Sequence, residues 1–153
     1  MRFAARETAV FSQPEAGLGA LPGAGGVQHL VRLMGRARAL EVMLSSEDYD
    51  AELAEAYGWI NRALPAAKLD DFVAAVAQRI AKFPAAGRIA IKERVNAIAL
   101  APADDFRRDS DLFGEGVRQP EAQQQIHAAM LRGFQTREGE RDLGRILGEL
   151  SDR

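Results

Sequence analysis

The sequence predicts an α/β chain that is mainly helical, with two or three short strands near the amino terminus and around residue 60. Three observations lead there. Strand-like apolar pieces, Met1-Arg2-Phe3-Ala4 and Ala9-Val10-Phe11, flank the polar Arg6-Glu7-Thr8. A glycine-dense loop runs from Phe11 to Gly26, and beyond it apolar residues recur at helical spacing nearly to the end.

A helix from about Gly26 to Met34 places Val27, Leu30, Val31 and Met34 on one face, since residues three and four apart share a side of an α-helix, and Gly35 stops it. Ala37, Leu40 and Leu44 repeat that spacing through a second helix ending near Ser45-Ser46. Asp50 can cap a short helix through Tyr57, because its carboxylate accepts amide hydrogens that the first turn leaves unpaired; Gly58 closes it. Trp59 to Pro65 reads as a brief extended segment.

Leu69, Phe72, Val73, Val76, Ile80 and Phe83 trace a strong stripe on the next helix, ended by Pro84; core or subunit contact explains it better than a cofactor box. Ile89, Val95 and Ile98 mark a helix to about Leu100, ended by Ala101-Pro102. The pattern then loosens through Phe106 and Phe113 to Pro120, a first-turn proline before Ile126, Met130 and Phe134. Leu143, Ile146, Leu147 and Leu150 form a last stripe. These faces outnumber what two tiny strands can cover, so they are expected to pack on a sheet layer or another subunit.

A chain of 153 residues with 47% apolar composition suits one domain with a real core. Twenty-two acidic residues nearly cancel 20 basic ones, so no field favours nucleic acid or an anionic membrane. The lack of cysteine excludes disulfides and thiolate chemistry and fits a reducing cytoplasm. Arg6 and Glu7 interrupt any signal-peptide core, and the longest uncharged run, Ala16 to Val31, is too short and glycine-rich to span a membrane.

Gly23, Gly25 and Gly26 let backbone amides approach a bound group, and at a helix start those amides favour negative charge or a polarised water. Glu15, a short loop upstream, could exchange a proton there if a pocket raises its pKa. Spacing alone favours the plainer reading, a turn beside a solvated glutamate. Both phosphate-loop patterns fail: Gly26 is followed by Val27-Gln28 instead of Lys-Ser/Thr, and the dinucleotide pattern finds Pro22 or Gln28 where its third glycine belongs. His29 and His127 have no i+4 ligand partner, which leaves no metal site, and Ser12, Ser45 and Ser46 lack a nucleophile elbow. Lys92 could meet a phosphate, although a lone lysine on a helix is usually solvated.

Phe11-Ser12-Gln13-Pro14-Glu15, then Leu18-Gly19, Pro22-Gly23-Ala24-Gly25-Gly26, Gln28, Leu30, Arg32 and Gly35, resemble in order and spacing the enoyl-CoA hydratase/isomerase (crotonase) superfamily. Ala51 through Asn61 to Pro65 looks like the family's next block, and Lys92 with Val95-Asn96 is similar to a later one. The resemblance is fullest from Met1 to Leu100. It implies a truncated ClpP/crotonase spiral fold in a single region, with residues 1–65 the end of the spiral core and the active-site wall, and 66–153 a helical part. It makes Glu15 the second catalytic glutamate, Gly23 a water-positioning residue and Lys92 a coenzyme A contact. The implied substrate is an acyl-CoA thioester, with coenzyme A as its only cofactor-like group.

The resemblance also implies that the strands, the oxyanion-hole amides and the first catalytic glutamate belong upstream of Met1, so the chain looks like a C-terminal half. One lost oxyanion donor commonly costs about 3 kcal/mol, so the chain alone is expected to be inactive. An amino-terminal-half partner would complete it. The alternatives are a non-catalytic helical module forming trimers or hexamers, and a misassigned start that hides a complete hydratase, which the in-frame DNA before Met1 would reveal.

Overall fold

A computed structural model describes residues 1–151. Along the chain it places β1 (Phe3–Ala5), β2 (Val10–Phe11), α1 (Gly26–Met34), α2 (Arg36–Ser45), β3 (Tyr49–Asp50), α3 (Ala51–Tyr57) and β4 (Arg62–Leu64). The helices α4 (Ala66–Ala81), α5 (Ala85–Ala99), α6 (Ala103–Val117), α7 (Pro120–Leu131) and α8 (Leu143–Ser151) complete it, with 3-10 turns at Ala16–Leu18 and Gly139–Arg141. By internal contacts the chain forms two compact units, each drawn from two stretches of sequence.

One unit comprises Met1–Ala9 and Asp50–Leu100. Its strands β1 and β4 run parallel with the buried Ala4 opposite the buried Ala63. The ladder is extended where the Asn61 amide donates to the Arg2 carbonyl at 2.9 Å and the Arg2 amide donates to Asn61 Oδ1 at 2.7 Å. Helix α3 has the predicted ends: Asp50 Oδ1 accepts from the Leu53 amide at 2.7 Å, and Gly58, at φ 81°, donates to the Ala54 and Glu55 carbonyls. Glu55 Oε2 then accepts from the Ala63 amide, which ties α3 to β4. Phe72 of α4 meets Phe3 edge-on at 5.2 Å, and the Arg62 guanidinium lies over the Phe72 ring. The stripe on α4 is half-buried at best, and no residue of α5 is buried.

The other unit comprises Val10–Tyr49 and the chain from Ala101 onward. Here β2 pairs with β3, so the two amino-terminal strand pieces find different partners. Its core joins Leu18 to Ala129, Leu143, Ile146, Leu147 and Leu150, the last four being the predicted terminal stripe. The face predicted for α2 is wrong. Ala39, Val42 and Met43 are buried, whereas Leu44 is 70% exposed and Ala37 is exposed. This helix carries apolar residues on opposite sides, so periodicity alone does not choose its buried face; Gly35 (φ 81°) is the single residue between α1 and α2. On α7 the buried residues are Ala122 and Ala129, while Met130 points to solvent. Among the described residues no helix is long and apolar enough to cross a membrane.

Candidate active site

Glu15 opens the Ala16–Leu18 turn, where its carbonyl accepts from the amides of Leu18 at 3.1 Å and Ala20 at 2.8 Å. Gly19, at φ 77°, ends the turn in a conformation that disfavours a side chain. The Gly17 amide donates to Ser46 Oγ at 3.0 Å, and Ser12 Oγ donates to the Glu47 carbonyl at 3.1 Å, so the loop after α2 braces the turn twice. Ser46 is buried in the left-handed region, φ 52°, a costly conformation that its bond to Gly17 helps to hold.

One carboxylate oxygen, Glu15 Oε2, is closed off from solvent and has no hydrogen-bond partner. Burial raises the Glu15 pKa, opposed by a weaker hydrogen bond from its own backbone; no neighbouring charge contributes. Gln13 Oε1 is likewise buried and unpartnered, while Gln13 Nε2 donates to the Ser12 carbonyl at 3.1 Å. Two buried acceptors without a donor in one short loop are the exception in a folded chain, and such exceptions gather where strain or catalysis is kept.

Helix α6 holds the far end of the glycine loop. Ser110 Oγ donates to the Gly23 carbonyl at 2.7 Å, and a Cβ at Gly23 would lie 2.5 Å from Phe113 Cβ, so this position excludes every side chain. A Cβ at Gly25 (φ 90°) would meet the Phe106 ring at 2.9 Å. His29 packs on that same ring at 5.2 Å, a packing role. Gln28 Nε2 donates to Oδ2 of the buried Asp109 at 2.8 Å.

Glu15 and Gly23 therefore sit on one loop of one unit, fastened by the loop after α2 and by α6 respectively. Lys92 belongs to the other unit, exposed on α5 in a groove of about 850 Å³ that Ile80, Phe83, Ile89, Val95 and Asn96 also line. The sequence offers Ser46 only as a helix end without a nucleophile elbow, missing its bond to the Glu15 turn, and overlooks Ser110. A serine right after an apolar helix, where glycine or asparagine usually stops it, is a faint signal for the first; nothing local marks the second. Among the described residues no group of three metal-ligating side chains gathers.

Comparison with known proteins gives a consistent result. Residues 2–135 match the family described as enoyl-CoA hydratase/isomerase. The Rhizobium meliloti "Probable enoyl-CoA hydratase" is 37% identical over 110 residues, 71% of this chain and 43% of that protein. The crystal structure of a "putative enoyl-CoA hydratase" from Streptomyces avermitilis is 53% identical with a TM-score of 0.94, covering 97% of this chain and 54% of that one. An enoyl-CoA hydratase from Mycobacterium avium subsp. paratuberculosis superposes with a TM-score of 0.77 at 26% identity, over 85% of this chain and 53% of that one. The chain thus spans about half the length of the proteins it matches, and its fold is crotonase-like.

Proposed function

Since the chain belongs to the enoyl-CoA hydratase/isomerase family, we propose that Glu15 moves a proton in the hydration or isomerisation of an enoyl-CoA thioester. One observation carries this: Glu15 Oε2 lies buried without a partner in a carboxyl that burial makes easier to protonate. Such a carboxyl exchanges a proton with water or a substrate carbon at working pH more readily than a solvated glutamate does. In this reading Gly23 helps to position the reacting water through its backbone, its side-chain position being taken up by Phe113 of α6, and Lys92 offers a cation to a phosphate of coenzyme A. Coenzyme A arrives as part of the substrate, so this reading needs no separate cofactor. The setting is the cytoplasm.

In the same reading Glu15 is one carboxylate of two. The second, with the oxyanion-hole amides, comes from an amino-terminal half that completes the site; the chain's span of about half the length of its relatives supports this arrangement. The test is hydration of a four-carbon enoyl-CoA, followed by loss of the conjugated thioester absorbance. The samples are the purified chain alone, the chain mixed with the amino-terminal half of a relative, and the mixture carrying Glu15→Gln. Turnover is expected in the mixture only, falling about 10²- to 10⁴-fold with Glu15→Gln. A silent mixture overturns the completion model, and an unaffected variant overturns the role of Glu15.

A second reading, assembly with further copies, rests on α5. Ile91, Val95 and Ile98 form a stripe on it that is 68%, 55% and 79% exposed.

A further inference from the structure

The first turn of α8 is capped from a distance. Asp142, the residue just before it, engages Arg145 at 2.5 Å instead, and the Gly144 amide donates to Asp48 Oδ2 at 2.9 Å, across 96 positions of sequence. A Cβ at Gly144 would lie 2.8 Å from the Asp48 amide, so the helix end approaches this loop as closely as glycine allows. Asp48 follows Ser46 and Glu47, which hold Gly17 and Ser12. Three consecutive residues thus join the Glu15 turn to the start of α8. One helical turn further on, the buried Leu147 lies over Gly17, where a Cβ would sit 3.1 Å from its Cδ1.

We propose that Asp48 and Leu147 are positioning residues for Glu15: Asp48 docks α8, and Leu147, laid over the Gly17 turn, keeps water from Glu15 Oε2. The inference rests on reading Glu15 as the proton-transfer group. Charge is not the competing cause. Arg36, Arg38 and Glu41 on α2, Glu121 and His127 on α7, and Arg145 and Glu149 on α8, the helices packed on this turn, are all exposed. Asp48 is a half-buried acid nearby; its Oδ2 is engaged by Gly144 while its Oδ1 is buried without a partner, so Asp48→Asn separates its charge from its docking bond.

Titration of the Glu15 side-chain carboxyl by carbon NMR, with the resonance assigned through Glu15→Gln, tests the proposal. Leu147→Ala and Asp48→Ala are expected to move the midpoint down towards that of a solvated glutamate, with unchanged far-ultraviolet circular dichroism. Asp48→Asn, which keeps an acceptor for Gly144, is expected to leave the midpoint near the parent value. A Glu15 midpoint unmoved in folded Leu147→Ala overturns the proposal; should that variant not fold, Leu147→Val decides by the same reading. A shifted midpoint together with a silent hydration assay upholds the positioning and overturns only the enzymatic reading.

Discussion

At Glu15 the folded chain holds a proton more tightly than the unfolded chain does, because ionising the carboxyl would leave charge on a buried oxygen with no donor. With the folded pKa above the unfolded one, the group favours folding most below the unfolded value, and that advantage is lost as pH rises through the folded value. Glu15→Gln removes the ionisation. Its melting temperature should match the parent in acid and exceed it at neutral pH, the gap opening across that window; parallel curves of melting temperature against pH would contradict this. Gly23 makes the opposite case, a residue whose importance is steric. Gly23→Ala forces its new methyl against Phe113 Cβ and should cost about 1–3 kcal/mol in urea unfolding, whatever happens to activity.

Individual elements show which physical signals are local. Helix α3 is specified by its ends, so Asp50→Ala, which leaves the Leu53 amide without its acceptor, should destabilise the unit by about 1 kcal/mol, read as a shift of the denaturation midpoint at constant slope. The ends of α1 and α3 and the stripe of α8 were legible because caps and periodicity act within a few residues. The buried side of α2 was not: Ala37, Leu40 and Leu44 recur at helical spacing as well as Ala39, Val42 and Met43 do, and only packing against the rest of the unit chooses between them. The Pro14-Glu15 and glycine pattern was equally legible. What fastens it was hidden, since Ser110 reaches Gly23 across 87 positions and Asp48 reaches Gly144 across 96. A hydrogen bond of that span leaves no period in the sequence.

For the molecule as a whole, α5 poses the sharpest energetic question. Burying β-branched side chains such as Ile91, Val95 and Ile98 is worth roughly 1.5–3 kcal/mol each, and a helix that leaves all three in water forgoes that gain. They recur at spacings of four and three, which aligns them as one continuous stripe, the form that a partner helix or a second copy can cover. Ile91 and Val95 also line the groove beside Lys92 and Asn96, so association through the stripe and ligand contact through the groove draw on the same side chains and compete. Purified chain should therefore associate in a concentration-dependent way in sedimentation velocity. Ile98→Glu, at a position already 79% exposed, should shift it to monomer and leave its circular dichroism unchanged. A parent chain that stays monomeric at high micromolar concentration would remove self-association and leave the stripe to a different polypeptide, the one that the hydration mixture supplies.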